Sequence, residues 1–405
     1  MTENNNFPII HSLQEAQSGL TTLPPNPQYD TLRLYLKLKI LWLSDQPAEA
    51  LGLLNTTPDQ IRNHPRFREL EADCHLKRFM LAPSGMTQKD DVLNAQIGYQ
   101  KIITENPDYD NLGEVYYQLG QCFLLLDNIT QAAEAFRNSL TRPFTHPEIK
   151  AFTYERLGYI EFHHHRNFKQ ALAMLNLAVA LHPANIENHP WQIQTHLLRS
   201  RVMQSIGQYK QAAQTIAYVI EQARKTYETS ILRETLLAAS ELLVEVNGYE
   251  DQALSYLAEY VNLSPKPSSH NITWSRIHEM MGNLHYKLQH YEAASQAYQQ
   301  AINFNPNHPW QVSIYYRLAQ CHYQQGNYHA VIITIEQLLQ TASSDGQTLT
   351  DFRVYDILGN AYFAIEDYNN AAKAYEKALE YIPQSSENVD KIRLYYHFSL
   401  QLMNR

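Results

Sequence analysis

Histidines and cysteines are the side chains in this 405-residue chain whose types suit chemistry near neutral pH. Their spacing argues against it. His163, His164 and His165 stand in one run. Imidazoles bind zinc, but adjacent residues at a helix end point in divergent directions, and no cysteine or paired histidine follows at ligand spacing. The run reads as an exposed turn. Cys122-Phe123 and Cys321-His322 raise the idea of a thiol nucleophile with a nearby imidazole. A reactive thiol needs an electropositive, accessible setting. Both cysteines instead fall two residues after a small residue, Gly120 or Ala319, where a small apolar filler is expected. Three cysteines without a C-x-x-C exclude a disulfide framework and a self-contained cysteine zinc site, and suit a reducing compartment. The sequence has no G-x-x-x-x-G-K-[ST], no G-x-G-x-x-G, no H-E-x-x-H and no G-x-S-x-G. A non-catalytic protein without cofactor or metal is expected.

The elements that would position any site come next. Only 13 glycines and 18 prolines argue against a turn-rich β protein and a Gly-loop nucleotide fold. An apolar fraction of 44% excludes a disordered chain. A net charge of −9 gives no electrostatic reason to expect nucleic acid or anionic lipid. The opening residues carry no basic stretch, so a secretory signal is not expected. No segment approaches the roughly 20 apolar residues of a membrane span. No membrane insertion and a cytoplasmic location are the expectation.

Internal repetition organises the whole chain. Around Ala371 stand Tyr368, Tyr375, Ala378 and Pro383, with Leu358-Gly359 upstream. Around Ala294 the same offsets give Tyr291, Tyr298, Ala301, Pro306 and Met281-Gly282. Ala132 has Phe136 and Leu119-Gly120; Ala171 has Phe168, Ala178 and Leu157-Gly158, shifted by one residue through the histidine run. Weaker copies centre on Ala95, Ala212, Ala253 and Val331, and a still weaker one on Ala50. Two helices crossing closely need Gly or Ala at the contact, because a larger side chain overpacks the crossing by about 1–3 kcal/mol. The aromatics are expected to fill the wider gaps toward the neighbouring repeat. Proline cannot continue a helix interior, so Pro306 and Pro383 mark helix ends.

This pattern resembles the tetratricopeptide repeat family. Successive centres here are 37 to 41 residues apart, longer than the family's repeat of about 34. The resemblance implies an all-α fold: a right-handed α-solenoid of about eight or nine tetratricopeptide-like helix pairs. Residues 1–28 form a flexible N-terminal segment in this reading, 29–385 the repeats, and 386–405 a C-terminal capping helix with Ile392, Tyr395, Phe398 and Leu402 at helical spacing.

In that family the first helix of each repeat lines a concave groove. Carrying the register over places Tyr117, Gln118 and Gln121, then Glu155, Arg156, Tyr159 and Phe162, on the groove in the N-terminal half. In the C-terminal half it places Arg276, Glu279, Asn283 and Tyr286, then Tyr316, Arg317, Gln320 and Tyr323, then Arg353, Asp356, Asn360 and Phe363. The partner-binding residues expected are Gln121, Arg156, Tyr159, Asn283, Tyr286, Arg317, Gln320, Arg353 and Asn360. Amides pair with a peptide backbone, aromatics supply anchor area and arginines pair with carboxylates. The family's carboxylate clamp fails residue by residue. Asn283 and Arg353 keep its character, but Glu279, Arg317 and Ile357 replace a Lys, an Asn and an Arg. The function expected is a non-catalytic adaptor or scaffold that captures a peptide or helix of a protein partner. An accessory subunit of an enzyme or assembly complex is the alternative, as is a signal-peptide receptor, although residues 1–28 are too short for the effector domain such receptors carry.

Overall fold

The computed structural model describes residues 7–8, 10–83, 89–144, 146–183, 191–267, 270–305, 311–344 and 348–403. Among these residues every regular element is helical. Helix α1 (Leu13–Thr22) and a 3-10 turn (Pro27–Tyr29) precede α2 (Asp30–Leu43), α3 (Pro47–Asn55), the single turn α4 (Asp59–Arg62), α5 (Pro65–Leu81) and α6 (Lys89–Glu105). Then come α7 (Leu112–Leu125), α8 (Ile129–Leu140), α9 (Pro147–His163), α10 (Phe168–Ala180), α11 (Gln192–Ser205) and α12 (Tyr209–Lys225). The series continues with α13 (Thr229–Val244), α14 (Glu250–Leu263), α15 (Ile272–Lys287), α16 (Tyr291–Phe304), α17 (Gln311–Gln324), α18 (Tyr328–Ser344), α19 (Phe352–Ala364), α20 (Tyr368–Tyr381) and α21 (Val389–Met403). Apart from α1, α4 and α21, the described helices follow one another as pairs, from α2/α3 and α5/α6 to α19/α20. Pro383 follows the end of α20; Pro306 and residues 1–6 and 404–405 lie outside the described residues.

Two compact units divide the chain, Met1–Val219 and Ile220–Arg405, where the sequence reads as one uninterrupted block of repeats. Inside each unit helices pack on their chain neighbours. First helices of successive pairs also meet, α7 with α9 and α9 with α11 in one unit, α17 with α19 in the other. That side-by-side contact makes a face lined by first helices.

The central alanines Ala132, Ala171, Ala212, Ala253, Ala294 and Ala371 are all fully buried. Their crossing partners are the glycines. A methyl group added at Gly120 would lie 2.6 Å from the Phe136 ring, at Gly158 2.8 Å from Leu175, at Gly282 2.7 Å from Tyr298, and at Gly359 2.6 Å from Tyr375. The side chain four residues after the central alanine therefore lies on the glycine of its own pair, which corrects the expectation that it fills space toward the next repeat. Tyr298, Tyr375 and Phe136 are among the largest fully buried side chains, each contributing about 1.5–3 kcal/mol by removal from water.

Mid-pair turns are built alike. Asp45, Asp127, Arg166, Gln289 and Glu366 take left-handed backbone angles, with φ between 56° and 65°, and Gly207, Gly248 and Gly326 do so with φ between 75° and 86°. The next residue closes a bond across the turn: Asn128 N to Phe123 O at 2.8 Å, His290 N to His285 O at 2.9 Å, Asp367 N to Tyr362 O at 2.9 Å. This is the helix-ending motif that satisfies carbonyls left over at a helix terminus. After the histidine run, Asn167 N reaches back six residues, to Glu161 O at 2.8 Å, and so absorbs the extra residue.

Part of the segment expected to be flexible forms helix α1, and three of its apolar side chains are packed. Phe7, Ile10 and Ala16 are buried in one core with Tyr35, Leu38, Leu54 and Phe67. At the other end, α21 buries Val389, Ile392 and Ser399 and lays Tyr395 against Phe363 at 5.4 Å and Tyr375 at 6.1 Å. Phe398 stays 43% exposed.

Candidate functional site

The register that places groove residues in the clear repeats also applies to the first two pairs. With Leu38 and Ala72 at the position that Gly120 holds, it selects Tyr35, Lys39 and Trp42 on α2, and Arg66, Glu69 and Asp73 on α5. These side chains line one cavity of about 330 Å³ in the first unit, together with Glu114 and Gln118 of α7 and Phe152 of α9. Sequence reasoning missed the three on α5 for a physical reason. The connection between α5 and α6 is longer than in other pairs, so the fixed offset back from Ala95 lands on Pro83. Ala72 holds the place instead; a methyl group added at Gly98 on the facing helix would lie 3.0 Å from its Cβ.

The cavity concentrates charge. Burial, reinforced by the Asp73 charge, pushes the Glu69 carboxyl above the usual carboxylate range, against the pull of Lys39. Asp73 is raised by burial in the same way. Glu69 accepts hydrogen bonds from Tyr109 and Asn111, and Asp73 accepts one from the Tyr99 hydroxyl at 2.7 Å. Burial works against the charge of Lys39, and Tyr35, Asp73 and Glu69 outweigh it. Its ammonium lies 5.0 Å from the Trp42 ring centre. Glu114 accepts from both the backbone N–H and Nδ1 of His146, each at 2.7 Å.

A second cavity of about 650 Å³ in the same unit shares Gln118, Ile149 and Phe152 with the first. Gln121, Arg156 and Tyr159 line it together. The Tyr117 hydroxyl accepts from Gln121 Nε2 at 2.9 Å, and Arg156 reaches the same oxygen. Apolar side chains ring this cavity: Met80 is 71% exposed, Leu125 44% and Tyr159 36%. One face thus offers a charged pocket beside an apolar one.

In the second unit the expected residues separate into two groups. The Arg317 guanidinium lies over the Tyr286 ring at 5.3 Å and donates to Gln320 Oε1 at 3.2 Å. Arg353 lies over Tyr316 at 5.4 Å but is also held by Asp351, to which its Nη2 donates at 2.6 Å. Asn283 and Asn360 are used internally. Each accepts a hydrogen bond from the tyrosine buried on the preceding glycine, Tyr298 at 2.8 Å and Tyr375 at 3.0 Å. Asn360 also donates to Asp356 at 3.2 Å.

The cysteines and histidines stay with the scaffold. Cys74, Cys122 and Cys321 are buried and free, and burial pushes each thiol up to about 12. A thiol at that value is not a nucleophile at neutral pH. His163 packs on Tyr159 with ring centres 4.4 Å apart, while His165 turns to Glu161 at 3.3 Å. Among the described residues no helix is long and apolar enough to cross a membrane.

Comparison with known proteins adds family and fold. A model described as "TPR repeat" matches residues 282–326. Two models described as the tetratricopeptide repeat match residues 352–385, and residues 113–145 and 312–345. No curated protein sequence matches the chain. Among solved structures, the C-terminal part of a TPR repeat-containing protein from Cytophaga hutchinsonii is 13% identical. It covers 68% of this chain and 98% of its own, with a TM-score of 0.51. A tetratricopeptide repeat protein from Parabacteroides merdae is 14% identical, covering 71% and 98% at a TM-score of 0.42. YrrB, described as a TPR protein with an unusual peptide-binding site, is 17% identical, covering 53% and 96% at 0.40.

Proposed function

The chain is a tetratricopeptide repeat protein, and from that premise we propose that it is a non-catalytic interaction scaffold that captures a segment of a protein partner. The face of the first unit lined by first helices is the principal site. The observation that carries the reading is the adjoining pair of cavities on that face. The charged one holds Lys39, Glu69 and Asp73, the apolar one Gln121, Arg156 and Tyr159, and Gln118 and Phe152 belong to both. An apolar side chain of a partner enters between Met80, Leu125 and Tyr159. Arg156 and Gln121 then take backbone carbonyls or an acidic group through charge-assisted and amide hydrogen bonds. Buried polar groups of the neighbouring cavity add discrimination, since a partner that leaves them unpaired is rejected. In the second unit Tyr286, Arg317 and Gln320 form a smaller polar platform, with Arg353 beside Tyr316. Asn283 and Asn360 fix their own tyrosines and take part only by holding that platform's helices in place.

Affinity capture with the full chain, followed by mass spectrometry, tests this. A partner retained by the wild type is expected to fall at least tenfold with Arg156→Glu, helical circular dichroism being unchanged. Arg317→Glu reports separately on the second unit. Equal retention of every bound protein by wild type and Arg156→Glu would sink the reading of the first face.

A further inference from the structure

The charged cavity is not open along its whole rim, because the chain's own residues lie across it. Ile10 and His11 are part of its lining, alongside Tyr35, Lys39 and Glu69. Phe7 sits in a cage of three rings, with centres 5.1 Å from Tyr35, 4.8 Å from His64 and 5.4 Å from Phe67. Phe7 and Ile10 are each only 8% exposed. His11 Nδ1 lies 2.8 Å from His146 Nε2, one nitrogen donating and the other accepting, and the other ring nitrogen of His146 meets Glu114. The segment enters this position in a defined direction. Ser12 caps α1 by accepting from Glu15 N at 3.1 Å, and the Glu15 carboxylate accepts from His11 N at 2.9 Å. Pro8 biases Phe7 to extended backbone and cannot itself continue a helix.

We propose that this face is a binding site for an extended peptide carrying an aromatic residue, a branched aliphatic residue three positions later and a histidine next to it, and that Phe7, Ile10 and His11 are the chain's own ligand groups for that site. The inference rests on the reading of the face as a groove and names the class of segment it takes. Each feature of the motif has its receptor. The aromatic residue fills the cage of Tyr35, His64 and Phe67, the aliphatic residue closes the cavity beside Lys39, and the imidazole joins the His146–Glu114 pair. A partner bearing such a segment competes with the chain's own copy. The tethered copy is present at an effective concentration of the order of millimolar, so an external segment binds weakly until the internal one is released.

A fluorescein-labelled peptide with the sequence of residues 4–14, titrated into full-length protein and read by anisotropy, tests the proposal. Phe7→Ala/Ile10→Ala is expected to bind the peptide at least tenfold more tightly than wild type, and adding Tyr35→Ala to that variant is expected to abolish the gain. No binding to the double variant, or equal binding to double variant and wild type, would overturn it. If the double variant loses helical circular dichroism, His11→Ala replaces it; that change removes only the imidazole contact, and peptide binding no tighter than wild type then overturns the proposal. Partner capture that depends on Arg156 is a separate readout. Its persistence beside a negative peptide result leaves the groove reading standing and removes only this inference.

Discussion

At Gly359 an added methyl group would lie 2.6 Å from the Tyr375 ring, inside any distance that unstrained carbon atoms adopt. The ring cannot retreat, because it is fully buried and its hydroxyl is bonded to Asn360. Gly359→Ala is therefore expected to lower stability by about 1–3 kcal/mol, measured by urea unfolding. Gly52→Ala is the control: nothing lies within 4 Å of the added carbon, in the interior of α3. It is expected to gain roughly 0.5–1 kcal/mol from helix propensity. Where a ring lies on a crossing glycine, as at Gly120, Gly282 and Gly359, the type of the next residue tracks that ring. Asn283 and Asn360 follow the glycines under Tyr298 and Tyr375 and accept their hydroxyls. Asp73, after Ala72, accepts from Tyr99 in the same way. Gln121 follows the glycine under Phe136, which has no hydroxyl, and turns to Tyr117. The identities of these pairs were legible in the sequence, but their meaning was not. An amide at a groove position looks the same on paper whether it faces a partner or holds an internal tyrosine.

Helix pairs are joined by turns that demand a left-handed residue, and only three of the eight described here use glycine. A side chain with a Cβ atom in that conformation costs roughly 1–2 kcal/mol, while glycine gives part of this back through its freer unfolded chain. Glu366→Gly, at φ 65° between α19 and α20, is expected to stabilise the protein by about 0.5–1 kcal/mol. Thermal unfolding of wild type and variant, followed by circular dichroism, checks it; a lower melting temperature in the variant would contradict the account. Helix pairing itself was readable from the recurring small residues. The position of α5 was not, because the long connection to α6 breaks the offset that locates every clear first helix. That one break hid Arg66, Glu69 and Asp73. The element at the start was misread for a different reason: its apolar residues are few, and packing of Phe7 and Ile10 depends on a surface made by α2 and α5.

Across the molecule, stability depends on acid through histidines held neutral. Burial, with the Arg199 charge beyond it, lowers His182 to about 4, and burial lowers His196 to about 4 as well. Both unfold to an ordinary histidine near 6.5. Between these values the unfolded chain binds more protons, so stability present above pH 6.5 is lost as pH falls toward about 4. Burial lowers His278, His285 and His322 of the second unit in the same direction. Glu69 works the opposite way: its raised carboxyl adds stability in acid that is lost as pH rises past it. Melting temperatures are expected to fall from pH 6.5 to pH 4, and to fall less steeply in His196→Gln; parallel curves would show that His196 does not contribute. The sequence alone determined the helical repeats, their small-residue crossings and the absence of recognisable catalytic motifs, because periodic packing is a local rule that each repeat states again. Tertiary structure alone decided which groove positions meet in a cavity, which amides are already bonded, and that Phe7, Ile10 and His11 lie against the first face. Those facts depend on side chains from four or five separate helices, whose distances no spacing along the chain records.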